Sequence, residues 1–259
     1  VAGDNDIQII NNLRDQVQNL KEMWTGQTPA GIPMVPDELT EVAFYGREDV
    51  AALLDEGKVP LGLDLETVEP VTWDLKKGNL LYLTDKEEQM TQFVKQIARS
   101  KQKVIVLAPA YNELPEMEGV TILSTKEAYV AGIKKMEENI QLRLEQQKSQ
   151  HEATIVLYNQ LELMNDLSMD LQSSLNYVLE KGARAGYATV AMSGSQLNRK
   201  IDEVSKSIKL YKQAIVAMRI TDQSVLNVIN RPVREEPLDS QVNYYVEDGF
   251  VRKVKVLMK

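Results

Sequence analysis

The chain of 259 residues contains no cysteine. Disulfides and thiolate metal sites are therefore excluded, and a reducing compartment is the simpler setting. It has one histidine, His151. Any Ser-His-Asp, Cys-His or His-zinc chemistry would have to pass through that residue. His151 follows the polar run EQQKSQ and precedes a strand-like stretch, so it reads as a solvated loop residue. No apolar run approaches the roughly 20 residues that cross a bilayer, and no signal peptide opens the sequence. The first residue is Val1, not Met, which reads as a piece of a longer protein with any membrane anchor outside it. Positive charge is in the minority: 30 Lys and Arg stand against 38 Asp and Glu, a net charge of -8. That balance opposes non-specific binding to a phosphate backbone.

What is present is the ordinary mixture of a soluble globular protein, 43% apolar and 26% charged. Residues 6–24 carry Ile9, Ile10, Leu13, Val17, Leu20 and Trp24 at helical spacing. The stretch GQTPAGIPMVPDEL then interrupts the pattern with two glycines and three prolines and reads as an extended linker. This gives an N-terminal helix and linker over 1–31 and a main module over 32–259. A short helix is expected over 48–55. Strands are expected at Pro70–Trp73, Leu80–Leu83, Val104–Leu107, Val120–Leu123, Ile155–Tyr158, Ala188–Met192 and Ala214–Ala217. Helices are expected at 87–99, 126–148, 168–181 and 222–229. Strands separated by helices predict a mostly parallel sheet flanked by helices. In the tail, Asp248-Gly249 between two alternating segments predicts a C-terminal β-hairpin.

Two stretches bear on chemistry. The first is LLYLTDKEEQMTQFVKQIARS, a strand, a short loop and an amphipathic helix, the frame on which a P-loop sits. With Thr91 placed as the terminal hydroxyl of G-x-x-x-x-G-K-[ST], Thr84 takes the first glycine position and Gln89 the second. Met90 takes the lysine position, Lys86 is a positive charge at the wrong place, and Glu87 and Glu88 would repel a triphosphate. Without glycine the backbone resists the curl that cradles phosphate, and without the lysine the charge of the transition state is not offset. Taken alone, this is any strand–loop–helix. The second stretch is Ile155-Val156-Leu157-Tyr158 followed by Asn159-Gln160. A P-loop ATPase has acids in those last two places, one for Mg²⁺ and one for the attacking water. Amides there bind a divalent cation poorly. Asn159 also reads as a helix N-cap. Met34, Met136, Met164, Met169, Met192 and Met218 read as core gap-fillers or as the lining of an adaptable surface.

The order of these stretches carries a resemblance. IPMVPDEL and VPLGLDLETVEPVTWDLKKGNLLYLT, LEKGARAGYATVAMSGSQLN, KQAIVAMRITDQSVLNVI and NYYVEDGFVRKVKV together resemble an ATPase module of the FtsK/SpoIIIE type. The degenerate motifs most resemble the C-terminal ATPase module of EssC/YukB (EccC-like) type VII secretion proteins. The resemblance runs from about Ile32 to the end. It implies a RecA-like P-loop NTPase fold and a module of a membrane-anchored export motor. It also implies adjacent ATPase modules in the same chain, small helical secreted substrates, a hexamer and a place at the cytoplasmic side of the membrane. Thr84, Lys86, Gln89, Met90 and Thr91 would form the degenerate Walker A loop, and Asn159 and Gln160 the degenerate Walker B pair. These departures imply a non-hydrolysing, regulatory or substrate-docking module with no cofactor needed and weak ATP/Mg binding at most. Arg184, in the family's Gly-Arg segment, is the candidate for action on a neighbouring module's nucleotide. The competing readings are an active ATP-hydrolysing translocase of protein, a DNA translocase, which the acidic balance disfavours, and an unrelated α/β binding domain.

Overall fold

The computed structural model describes residues 6–23, 34–231 and 233–257. The chain divides into two compact units, Val1–Met34 and Val35–Lys259. In the first, helix α1 spans Asp6–Met23, and its apolar residues Ile10, Leu13, Val17 and Leu20 are exposed. Trp24 and the greater part of the predicted linker, including the boundary after residue 31, lie outside the described residues.

The second unit opens with short helices α2 (Glu41–Tyr45) and α3 (Glu48–Asp55), then strands β1 (Val59–Asp64) and β2 (Pro70–Trp73). Strand β3 (Leu80–Leu83), helix α4 (Glu87–Ala98), β4 (Val104–Leu107), β5 (Val120–Leu123) and the long α5 (Lys126–Glu145) follow. Next come β6 (Ala153–Leu157), α6 (Gln160–Asp166), α7 (Met169–Lys181), β7 (Tyr187–Ser193), α8 (Glu203–Ile208) and β8 (Gln213–Val216). Strands β9 (Val242–Glu247) and β10 (Phe250–Lys255) close the fold. All ten strands form one sheet in the order β2-β1-β10-β9-β8-β3-β7-β6-β4-β5. The run from β8 to β5 is parallel, and β9, β10, β1 and β2 extend it antiparallel. The mostly parallel sheet expected from the sequence is thus present, with an antiparallel wing that includes the predicted hairpin.

The inner parallel strands are mostly apolar because both faces of the sheet are covered there, β3 and β4 without a break and β6 with one threonine; the edge strand β5 is only partly buried. Side chains alternate between the faces. Leu81, Leu83, Ile155 and Leu157 enter one core with α5, α7 and α8, while Leu80, Tyr82, Val156 and Val190 enter the other with α4. Met136 and Met192 fill these cores, Met164 and Met218 pack half-buried against one of them, and Met34 and Met169 are exposed. The hairpin turns on Asp248 and Gly249, both at positive φ (49° and 85°), which matches the twist of its strands.

The sequence reading did not anticipate helices α2, α6 and α8, and three further details differ from it. No helix forms over 222–229: only a 3-10 turn at Ile220–Asp222 is present, followed by irregular chain. Side chains take over the backbone there. Gln223 bonds Leu226 N–H and C=O (2.8 and 3.3 Å), and Glu235 accepts from Ile220 and Thr221 N–H (2.6 and 2.9 Å). Such local bonds compete with a helix ladder. Strand β1 was concealed by Pro60 and Gly62. The pairing with β2 shifts register between those residues, and a Cβ at Gly62 would stand 2.2 Å from Lys255 O. Finally, β6 ends at Leu157, so Tyr158 belongs to the loop beyond it.

Candidate functional site

In a parallel sheet the carboxyl ends of the strands open the crevice where ligands bind. Here β3, β7, β6 and β4 end together, and the loops after β3 and β6 hold the predicted Walker A and Walker B positions. The loop after β3 is three residues long, Thr84-Asp85-Lys86, because α4 starts at Glu87. Gln89, Met90 and Thr91 therefore lie inside the helix and not in a loop. The N–H groups of Gln89 and Met90 already bond Lys86 C=O (3.2 and 3.3 Å). Met90 is 3% exposed and packs in the core beneath α4, since its place in the helix turns it inward.

The other polar groups are bonded to one another. The fully buried Thr84 donates its hydroxyl to Gln89 Oε1 and accepts Lys86 N–H at 3.1 Å. Thr91 Oγ1 and the Tyr158 hydroxyl are 2.9 Å apart, and Tyr158 also donates to Glu87 C=O at 3.2 Å. Burial raises the Tyr158 pKa, so the phenol stays neutral. Gln160 is fully buried. Its Nε2 donates to Ser205 Oγ and its Oε1 accepts from Ser193 Oγ, each at 3.2 Å, which ties β7 to α8. Asn159 stands at the N-cap position of α6 but makes no side-chain cap, because its backbone is left-handed (φ 46°). Its Nδ2 reaches the Tyr111 hydroxyl at 3.2 Å and Glu87 Oε1 at 3.5 Å.

Electrostatics run the same way. Glu87, Glu88 and Glu113 line the cleft in front of Thr91 and Tyr158. Glu87 and Glu88 occupy the first turn of α4, where the helix dipole favours negative charge and where a phosphate would otherwise dock. Tyr111, at the rim, has its pKa raised by desolvation and by the carboxylates of Glu162, Glu87 and Asp166. A triphosphate with Mg²⁺ needs free loop N–H groups, a lysine and a carboxylate for the metal. The groups at this edge do not form that set. Among the described residues there is no cluster of three or more carboxylates or histidines placed to hold a metal.

Arg184 is far from this edge. It is exposed on a 3-10 turn, Gly182–Ala185, that precedes β7, so it lies at the opposite end of the sheet, one seven-residue strand away, about 23 Å. Arg143 fixes that turn. It donates to Ala185 C=O at 2.6 Å and to Gln150 C=O, and pairs with Glu152 at 2.7 Å. Within one chain Arg184 and the loop at Thr84 do not meet.

Sequence reasoning missed several contributors. Asp85 and Tyr158 sit beside predicted residues in the chain, while Ser193 and Ser205 are joined to the site only by the tertiary fold. The one visible signal was Tyr158 itself, a polar-tipped aromatic closing an aliphatic run. A second feature had no signal at all. Between α4 and the antiparallel wing lies a cavity of about 110 Å³ walled by Leu61, Tyr82, Phe93, Ile215, Val256 and Leu257. Asn243 lines it, 2% exposed, and its buried Nδ2 meets no partner in hydrogen-bond geometry.

No protein-family model matches the chain. Two curated relatives are similar over nearly its full length. Type VII secretion system protein EssC of Staphylococcus aureus (strain MRSA252) is 25% identical over 255 residues, 95% of this chain and 17% of the relative. ESX secretion system protein YukB of Bacillus subtilis (strain 168) is 26% identical over 282 residues, 99% of this chain and 18% of the relative. The chain thus spans less than a fifth of the length of these relatives. Among solved structures, EssC (ATPases 2 and 3) from Geobacillus thermodenitrificans superposes with TM-score 0.78 at 20% identity, covering 98% of this chain and 51% of that one. Thermomonospora curvata EccC (ATPases 2 and 3), in complex with a signal sequence peptide, gives 0.66 at 16% identity, covering 100% and 50%. The fold is therefore that of a P-loop ATPase domain, as the sequence order implied. The chain is thus similar in sequence to the EssC and YukB proteins of type VII secretion, and its fold resembles that of the solved EssC and EccC ATPase domains.

Proposed function

We propose that this chain is a non-hydrolysing ATPase module of a type VII secretion motor, working as a regulatory or substrate-docking platform. The observation that carries the reading is Met90. The residue aligned with the phosphate-binding lysine lies in the core, and the polar groups around it bond to each other. Hydrolysis depends on positioning and charge, and neither is offered to a triphosphate here. ATP and Mg²⁺ would bind weakly, and the module would need no cofactor to keep its shape.

Docking is supported by two things. A relative of the same fold has been seen in complex with a signal sequence peptide. The cavity beside α4 pairs apolar walls from the sheet with polar side chains of α4 such as Gln92 and Gln96, and the unpaired Nδ2 of Asn243 could meet a backbone carbonyl of an inserted segment. In this reading the partners are adjacent ATPase modules of the same chain and small helical secreted proteins. Nucleic acid is not a partner. The full protein would be hexameric at the cytoplasmic side of the membrane, with membrane contact through segments outside this chain. Arg184 would act on a neighbouring module. The second reading, an active ATPase, draws on one retained group, the Thr91 hydroxyl on α4.

Phosphate release by the purified chain at saturating MgATP separates the two. The expected outcome is no turnover above background, with no saturable heat on titration with ATP or ADP. Turnover that disappears in Thr91→Ala would overturn the reading. A synthetic signal-sequence peptide, followed by fluorescence anisotropy, should bind wild-type protein and lose about tenfold in affinity when Ile215→Trp fills the cavity. Equal affinity for both proteins would remove the cavity from the proposal.

A further inference from the structure

The carboxylate of Asp85 is not used by any role assigned so far, yet it sits at the centre of the strand-end edge. Strands β3 and β7 are parallel neighbours with Leu83 opposite Ser193, so the residues that follow each strand emerge side by side. Thr84 N–H bonds Ser193 C=O at 2.9 Å, which brings the two loops together at their roots. One residue further on, Asp85 Oδ1 accepts Ser195 N–H at 2.9 Å, and Ser195 Oγ lies 3.4 Å from the same oxygen. Gly194 makes this approach possible: a Cβ there would stand 2.5 Å from Asp85 Oδ1.

Two anions cannot share this place. A backbone N–H and a hydroxyl converging on one oxygen would suit a phosphate oxygen as well as a carboxylate. Here the chain supplies its own anion, from the loop where a triphosphate would enter. We propose that Asp85 is a built-in clasp, standing in for a bound phosphate, that holds the loop after β7 in one nucleotide-independent conformation. The inference rests on the preceding reading that no triphosphate enters this loop.

The held segment has reach. It runs through the 3-10 turn Ser195–Arg199, which Leu197 anchors in the core. Asn198 then bonds Ser224 Oγ at 2.7 Å, and Lys209 donates to Asn198 C=O at 3.0 Å. The clasp thus connects the loop after β3 to the segments before β8 and after it. In this chain the junction has a constant input.

Hydrogen exchange on the whole chain, read by mass spectrometry, tests the clasp. Asp85→Ala should speed exchange in peptides covering 194–200 about fivefold while β3 and β7 keep their protection. Asp85→Asn retains an acceptor oxygen and should give a smaller rise. Gly194→Ala should match Asp85→Ala, since its methyl displaces the carboxylate. Exchange within twofold of wild type in both Asp85→Ala and Gly194→Ala would overturn the inference. An ATP titration of wild-type protein reports separately on the preceding reading. Tight ATP binding would defeat that reading, whereas unchanged loop exchange in the two variants defeats only the clasp.

Discussion

The two ends of the parallel sheet are built differently. At the carboxyl end, Thr84, Gln89, Thr91, Tyr158, Asn159 and Gln160 are joined to each other or to nearby side chains. At the amino end, the turn before β7 is fixed from behind by Arg143 and holds Arg184 out in solvent. One edge is closed inward and the other faces outward. A module that still turned over nucleotide would need an open carboxyl edge. One that serves neighbours needs only a stable frame and the outward edge. The proposed supporting role makes use of this contrast.

Three variants would break or sharpen this contrast. The largest effect is expected from Met90→Lys. Restoring the lysine by sequence alignment places an ammonium in the core under α4, and destabilisation of about 3 kcal/mol or more follows from burying an unpaired charge. Urea denaturation measures it. A stable variant that gains ATP affinity would show that α4 can rotate to open the site. Gln160→Leu comes next. It leaves the buried hydroxyls of Ser193 and Ser205 without the amide that joins them, and a loss of about 2 kcal/mol is expected. An unchanged denaturation midpoint would mean that this bridge contributes nothing. Arg184→Ala should be the mildest, within about 0.5 kcal/mol of wild type in the isolated chain, as for an exposed side chain. A drop in the turnover of a multi-module protein carrying the same change would tie the outward edge to a neighbour.

Much of the fold was legible. The apolar runs of β3 and β4 are read with their bounds, because strands covered on both faces announce themselves as unbroken apolar stretches. Asp248-Gly249 marked the hairpin. The irregular segment after β8 was misread as a helix, since Gln223 and Glu235 bond backbone groups from positions that no periodicity reveals. The site was only half legible. The replaced motif residues were visible by type, but several of their bonding partners are remote in the chain: Gln160 and Ser193 are 33 residues apart, and Thr91 and Tyr158 are 67 apart.

By itself the sequence determined the chemistry that is missing: no cysteine, one histidine, no glycine in the loop after β3, a methionine (Met90) where the phosphate-binding lysine would stand, and amides in place of acids. Residue type alone settles which groups can carry charge, donate a proton or bind a metal. Only the tertiary structure decided what the remaining polar groups do. Whether a hydroxyl faces a ligand or a neighbouring side chain depends on which strands lie side by side, and the sheet order places β3 next to β7 and β7 next to β6. That order brought Asp85 to Ser195 and Gln160 to Ser193, and it turned Met90 into the core.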